Sequence, residues 1–284
     1  MTIPRIRIGD TEIIALTDGA GTFPFTSREA AFPDAIAEQW AAADRFDPGA
    51  IDAEGRWTLE FRAFAIRGPG GITLVDTGIG PEDALATWAP LPGRLPESLA
   101  EAGIGPDEVD AVVLTHLHTD HIGWAVVTEE AVTTSGDGPS SDRGPFFPNA
   151  EYLLQRREFD AIDDLNPQLR ASLIDPLREA GRLRLLDGDA PLRDAARVVA
   201  TPGHTPGHQS VLVAAGRESV LITGDLLVHA IQALYPELTY MFERDPAEAK
   251  RSRQRLLATE PGSTRHLATS HLTAPFTRAQ TASR

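Results

Sequence analysis

No cysteine occurs among the 284 residues. That absence excludes a disulfide framework, a thiolate metal site, an iron–sulfur cluster and a cysteine nucleophile. Any metal or catalytic centre must therefore be built from nitrogen and oxygen donors. Lysine is almost as scarce: Lys250 stands alone, and the other basic side chains are arginines. Against 26 basic side chains stand 41 acidic ones, a formal charge of -15 that repels phosphate backbones and anionic lipid surfaces. Neither nucleic acid nor a membrane is the expected partner. A long uncharged apolar run is missing as well. The first residues alternate instead, with Ile6 and Ile8 followed by Ile13, Ile14 and Leu16. This predicts strands rather than a signal peptide or membrane helix, and a cytoplasmic location. No fixed-period repeat is visible, so solenoid architectures are not expected.

What is present reads as an ordinary globular chain, 42% apolar and 24% charged, long enough to build a full core without covalent staples. Apolar alternation and short apolar runs predict strands near 5–8, 12–17, 59–66, 72–75, 111–114, 151–154, 183–186, 197–200, 210–214, 219–223 and 265–269. Helical patterns lie near 34–43, 95–102, 155–161, 167–180 and 246–259. Early strands come in hairpin-like pairs and later ones alternate with helices, so the fold class is mixed α/β (α+β), with helices packed outside the sheets. Gly, Ser and Pro crowd residues 133–148, which predicts a surface loop, about 128–150, inside one domain spanning 1–284. Residues 21–46 carry Phe23, Phe25, Phe32, Trp40 and Phe46. Such aromatics either cap a cleft as a lid, about 20–50, or pack an N-terminal extension onto the core.

The chemistry concentrates in Val112-Val-Leu-Thr-His116-Leu-His118-Thr-Asp120-His121, where an apolar run ends in three histidines and a carboxylate. In an extended segment His116 and His118 point the same way, while adjacent Asp120 and His121 diverge and can serve a second centre. Nitrogen-rich sets of this kind suit zinc and also admit copper or nickel. Three later segments repeat the context of a ligand-type residue just after an apolar strand. Arg197-Val-Val-Ala-Thr-Pro-Gly leads to His204, Val220-Leu-Ile-Thr-Gly leads to Asp225, and His266-Leu-Ala-Thr-Ser leads to His271. Strand ends are where open sheets present their sites.

With these residues in place the sequence resembles the metallo-β-lactamase superfamily. The pattern His-x-His-x-Asp-His with a distant His, Asp and His is met by His116, His118, Asp120, His121, His204, Asp225 and His271. The resemblance implies a four-layer αββα sandwich with a dinuclear site at its strand ends. It also assigns His116, His118 and His204 to a first ion and Asp120, His121 and His271 to a second, with Asp225 bridging. The ions expected are zinc, with manganese, iron(II) or cobalt also compatible. The implied chemistry is hydrolysis by a hydroxide shared between two ions, whose coordination acidifies water, with Asp120 or Asp225 handling the proton. Redox relatives carry glutamate where His118 stands here, which favours hydrolysis. Asp76, closing Leu74-Val-Asp76-Thr-Gly, matches a further family motif and is expected to orient a ligand rather than bind metal. His208 is expected to support the turn after His204. His229 is read as either a pocket residue or an interior helix residue, and His266 as structural.

The segments Thr201-Pro-Gly-His-Thr-Pro-Gly-His-Gln-Ser, Thr223-Gly-Asp-Leu-Leu-Val-His and Ala268-Thr-Ser-His-Leu look like the branch of N-acyl homoserine lactonases and methyl parathion hydrolase-type phosphotriesterases. Their resemblance implies a small lactone, ester or aryl phosphotriester substrate. Those lactonases carry a tyrosine near the metals, for which Tyr235 and Tyr240 are candidates, in an apolar stretch ending at Phe242. Competing expectations are a thioesterase or cyclase-like hydrolase of acyl thioesters, a β-lactamase, and a metal-holding protein without turnover. A homodimer is compatible with the resemblance.

Overall fold

The computed structural model of the protein describes residues 3–128 and 143–279. Residues 129–142, most of the predicted surface loop, lie outside the described residues. The strands are β1 (Arg5–Ile8), β2 (Thr11–Thr22), β3 (Thr58–Gly68), β4 (Gly71–Val75), β5 (Ala111–Val113), β6 (Val126–Thr128), β7 (Arg143–Pro145), β8 (Glu151–Gln155), β9 (Leu183–Leu186), β10 (Ala190–Pro191), β11 (Ala196–Ala200), β12 (Gln209–Ala215), β13 (Glu218–Ile222), β14 (Thr264–Ala268) and β15 (Phe276–Arg278). A seven-stranded sheet runs β1-β2-β3-β4-β5-β8-β9, and a six-stranded sheet runs β10-β11-β12-β13-β14-β15. β6 and β7 pair separately.

The period-2 alternation explains the layers. Along β2, Ile13 and Ala15 face a cluster shared with Val211, Val213, Val220 and Ile222 of the other sheet. Their neighbours Ile14 and Leu16 face away, toward Leu95 and Leu99 of the helix Leu95–Glu101 and Leu177 of the helix Asp175–Glu179. In the second sheet Leu212, Leu221 and Leu267 face outward, onto Ile231 of the helix Ala230–Leu234 and Leu256 of the helix Pro246–Leu257. The result is helices, sheet, sheet, helices: the mixed α/β sandwich that the sequence predicts.

Each predicted strand is present. The predicted helix at 167–180 is present over 168–179, with a wider π-helical turn at Arg170–Ile174 that runs directly into Asp175–Glu179. Pro176 has no amide proton to donate back along the helix, and the widened turn lies just before it. The helix predicted at 34–43 runs Ala37–Phe46, starting where the Gln39 side chain accepts the Ile36 amide. The chain is parallel at β4–β5 and again at β13–β14. Strands running the same way deliver their C-terminal ends to one edge, and the histidine-rich loops leave from that edge.

A candidate dinuclear metal centre

β5 hands over to Thr115, His116 and His118; β11 to Thr201 and His204; β13 to Asp225; β14 to His271. Two groups of donors result. His116, His118, His204 and Asp225 each offer an atom within 4.8 Å of one another, and so do Asp120, His121 and His271. In the first, His118 Nδ1 lies 2.9 Å from His116 Nε2 and 3.0 Å from His204 Nε2. In the second, His121 Nε2 lies 3.2 Å from His271 Nε2, and Asp120 Oδ2 is 3.6 Å and 3.7 Å from them. The two carboxylate oxygens of Asp225 divide between the groups. Oδ2 is 3.2 Å from His204 Nε2, while Oδ1 is 3.0 Å from His271 Nε2 and 3.2 Å from His121 Nε2.

This arrangement fits divalent cations better than it fits itself. His121 Nδ1 donates to Asp76 Oδ2 at 2.8 Å, and His271 Nδ1 donates to the Glu60 carbonyl at 2.8 Å. Both rings therefore turn their Nδ1–H groups outward, which leaves the two Nε2 atoms facing each other across the gap. Buried Asp225 Oδ1 makes no hydrogen bond, although two imidazole nitrogens are close. Ligands around a tetrahedral zinc with bonds near 2.05 Å are separated by about 3.3 Å, the scale seen here. Burial disfavours charge on His121, yet the carboxylates of Asp225, Asp120 and Asp76 outweigh it and hold this imidazole well above its usual range. A field that favours a proton there favours a metal cation as well.

The residues around the donors fix their orientation. Asp76 sits at φ +60°, a left-handed conformation costly for a residue other than glycine. It accepts the Thr115 amide at 2.8 Å on Oδ1, and the Thr115 hydroxyl at 2.9 Å together with His121 on Oδ2. That same hydroxyl lies 3.0 Å from His116 Nδ1, so one carboxylate braces a ring from each group. His208 has both nitrogens engaged: Nδ1 donates toward the Thr201 carbonyl at 3.1 Å, and Nε2 accepts the Asp225 amide at 2.9 Å. It therefore steadies Asp225, with no lone pair left for a metal. Just before Asp225, Gly224 lies at φ +50°, where a Cβ would come within 2.9 Å of both Thr115 and His208.

Above the donors opens a cleft of about 500 Å³, lined by His118, Asp120, His204, Asp225 and His271, with Tyr240 and the aromatics Phe23, Phe25, Trp57, Trp88 and Phe242. Phe23 packs at 4.7 Å from Trp57 and 5.3 Å from Phe25. The N-terminal aromatics thus split: Phe23 and Phe25 face the cleft, while Phe32 is buried with Trp40 and Phe46 packed nearby. Tyr240 stacks on His204 at an angle of 11°; Tyr235 packs in the outer cluster, off the cleft. A buried ion pair between Arg253 and Glu243 holds the Tyr240 segment, Glu243 also accepting the Tyr240 amide at 3.3 Å. His229 lies beyond the cleft wall, ringed by Phe32, Trp40 and Trp57, its Nδ1 accepting the Ile231 amide at 3.1 Å. Sequence reasoning misses Trp57, Trp88 and Arg244 on this wall, since nothing in their local pattern sets them apart from core or surface residues. It also misses Arg62. That buried guanidinium donates to the carbonyls of Leu272 and, at 2.7 Å, Thr273, clamping the loop that carries His271.

Comparison with known proteins agrees with this geometry. The chain is 28% identical to an N-acyl homoserine lactonase of a Bacillus species over 171 residues, 55% of this chain and 59% of that protein. It thus spans about three fifths of the length of that curated relative. Its fold superposes on hydrolase AbOPH, of the beta-lactamase superfamily, with a TM-score of 0.73, 23% identity and coverage of 100% and 98% of the two chains. Likewise it superposes on AidC, a dizinc quorum-quenching lactonase solved with its product, with a TM-score of 0.71, 22% identity and coverage of 99% and 98%. The sequence model of one family matches residues 62–271, a stretch that begins at the clamp Arg62 and ends on the ligand candidate His271. By that match, over most of its length, the chain belongs to the metallo-β-lactamase superfamily.

Proposed function

We propose that this protein is a dinuclear metal hydrolase that opens a lactone or cleaves a small ester bearing an apolar group. The observation that carries the reading is the division of Asp225, one oxygen toward His204 and the other toward His121 and His271, at the floor of an aromatic-walled cleft. His116, His118 and His204 would hold one divalent ion and Asp120, His121 and His271 the other, with Asp225 shared. Imidazole with carboxylate suits zinc and accommodates manganese, iron(II) or cobalt. Bound there, such ions supply a nucleophile at neutral pH by acidifying water and polarise the acceptor oxygen of the substrate.

The protein's own groups do the rest. Asp120 faces the cleft and is placed to take and return the proton. Burial raises the Tyr240 phenol above its ordinary range, and the Asp225 and Asp120 carboxylates add to the rise. The phenol therefore stays protonated at working pH and donates to a substrate oxygen. Phe23, Phe25, Trp57, Trp88 and Phe242 form a wall for an acyl chain or an aryl group. The relationship to N-acyl homoserine lactonases supports a lactone first, and the aromatic wall keeps aryl esters and phosphotriesters as the second class.

The test is a hydrolysis panel of lactones, aryl esters, phosphotriesters, thioesters and β-lactams, run with metal-stripped and zinc- or manganese-reloaded protein. Lactone or ester opening should vanish on stripping, return on reloading, and fall at least 100-fold in Asp120→Asn. Activity that survives verified metal removal, or a fully loaded protein inert toward the whole panel, would sink the reading.

A further inference from the structure

The three histidine donors of the first group come from two loops far apart in sequence, and a residue outside both joins them. Glu158 lies on the short helix Arg156–Asp160 that follows β8, and its side chain has no solvent exposure. Its carboxylate reaches in two directions. Oε1 accepts the Leu117 amide at 3.0 Å, and Oε2 accepts the Gly207 amide at 2.8 Å. Leu117 is the residue between His116 and His118; Gly207 belongs to the turn between His204 and His208. The contact is close: a Cβ on Gly207 would lie 2.2 Å from the Glu158 amide nitrogen, so helix and turn meet backbone to backbone. Among the described residues no cationic side chain forms a salt bridge with this carboxylate. A buried anion without a partner is costly unless positive charge lies nearby. Burial raises this carboxyl, and among the described residues the His204 imidazole of the first group opposes that rise.

We propose that Glu158 is a positioning residue for the first metal subsite. It holds the His116–His118 loop and the His204 turn at the separation a metal ion requires, and its charge balances the ion through one layer of protein. This rests on the ligand assignment of the proposed function. Glutamine cannot replace it: the shape is kept, but the amide group turns a donor toward one of the two backbone N–H groups. Aspartate keeps the charge and loses reach, so it should bind one amide at most.

The experiment titrates metal-free protein with cobalt(II), following visible absorption, and with zinc against a competing chelator, for wild type, Glu158→Gln, Glu158→Asp and Leu173→Ala. The last is a destabilising control in the core, a side chain that neither offers a donor nor hydrogen-bonds to one. In Glu158→Gln one of the two equivalents should weaken about 10–100-fold, the range found when a ligand-supporting partner is lost, with a changed cobalt spectrum for that ion. The other equivalent and the Leu173→Ala protein should match wild type. If Glu158→Gln does not fold, the same loss in Glu158→Asp carries the claim. Two wild-type affinities in a folded Glu158 variant would overturn it, as would equal weakening of both ions or the same loss in Leu173→Ala. Wild type that takes up no metal would overturn the proposed function as well, which separates the two failures.

Discussion

Asp76 bears more of the site than its position outside the ligand set suggests. Through the Thr115 hydroxyl it reaches His116, and directly it holds His121, so both subsites depend on one carboxylate. Asn is the informative substitution because it tolerates the left-handed backbone that Asp76 adopts. Asp76→Asn should leave folding largely intact. It should weaken the ion held by His121 about 10–100-fold, since the amide cannot accept from the ring and from the hydroxyl as the carboxylate does. A chelator-competition titration reads this out, and unchanged affinity would remove the bracing role. At this scale the sequence was most legible. Each ligand-type residue follows an apolar strand, a local pattern visible without a structure. Glu158 and Arg62 were not legible, because they act on backbone groups distant in sequence and no spacing rule connects Glu158 to Leu117 and Gly207.

Among elements, the longer strands were readable and most of the shortest elements were not, although the five-residue helix Arg156–Asp160 was expected at 155–161. Alternation marks β2 over its first half, but Gly19, Gly21 and a register shift between Thr17 and Gly19 hide its continuation to Thr22. Asp18 occupies that irregularity, and its carboxylate turns inward to accept the amides of Ile79 and Leu95 at 2.5 Å each. The helices Arg28–Ala31, Ile162–Leu165 and Ala230–Leu234 span little more than a turn, too short for a 3.6-residue period to register. The segment after β2 carries the element-scale prediction. Phe25 is 57% exposed, so Phe25→Ala forfeits little burial and should leave the unfolding temperature within about 1 °C of wild type. Its ring nevertheless lines the cleft beside Trp88 at 5.5 Å. Steady-state kinetics should therefore show KM rising several-fold for long-chain or aryl substrates and little for short ones. A lowered melting temperature with unaltered KM would make the segment packing alone.

For the molecule as a whole, acid is the revealing stress. His229 is buried among Phe32, Trp40 and Trp57; its Nδ1 is spent on the Ile231 amide and its Nε2 has no hydrogen-bond partner among the described residues. Burial pushes this imidazole down to about 3, the Arg28 guanidinium adding to the effect and Asp44 opposing it. In the unfolded chain the same ring titrates near 6.5. Below pH 6.5 the unfolded state therefore takes a proton that the native state refuses. His229 contributes its full stability above that pH and loses about 1.4 kcal/mol per unit as the pH falls toward 3. Asn places an acceptor near Nδ1 and does not titrate, so His229→Asn keeps the cap on the Ile231 amide while removing the proton. Urea unfolding of both proteins at pH 7.5, 6 and 5, at matched metal content, cancels the titration of the ligand histidines common to the two. The stability of wild type relative to the variant should shrink by about 2 kcal/mol between pH 7.5 and 5. A difference that stays constant over that interval would mean that His229 takes up a proton in the folded protein as readily as in the unfolded chain.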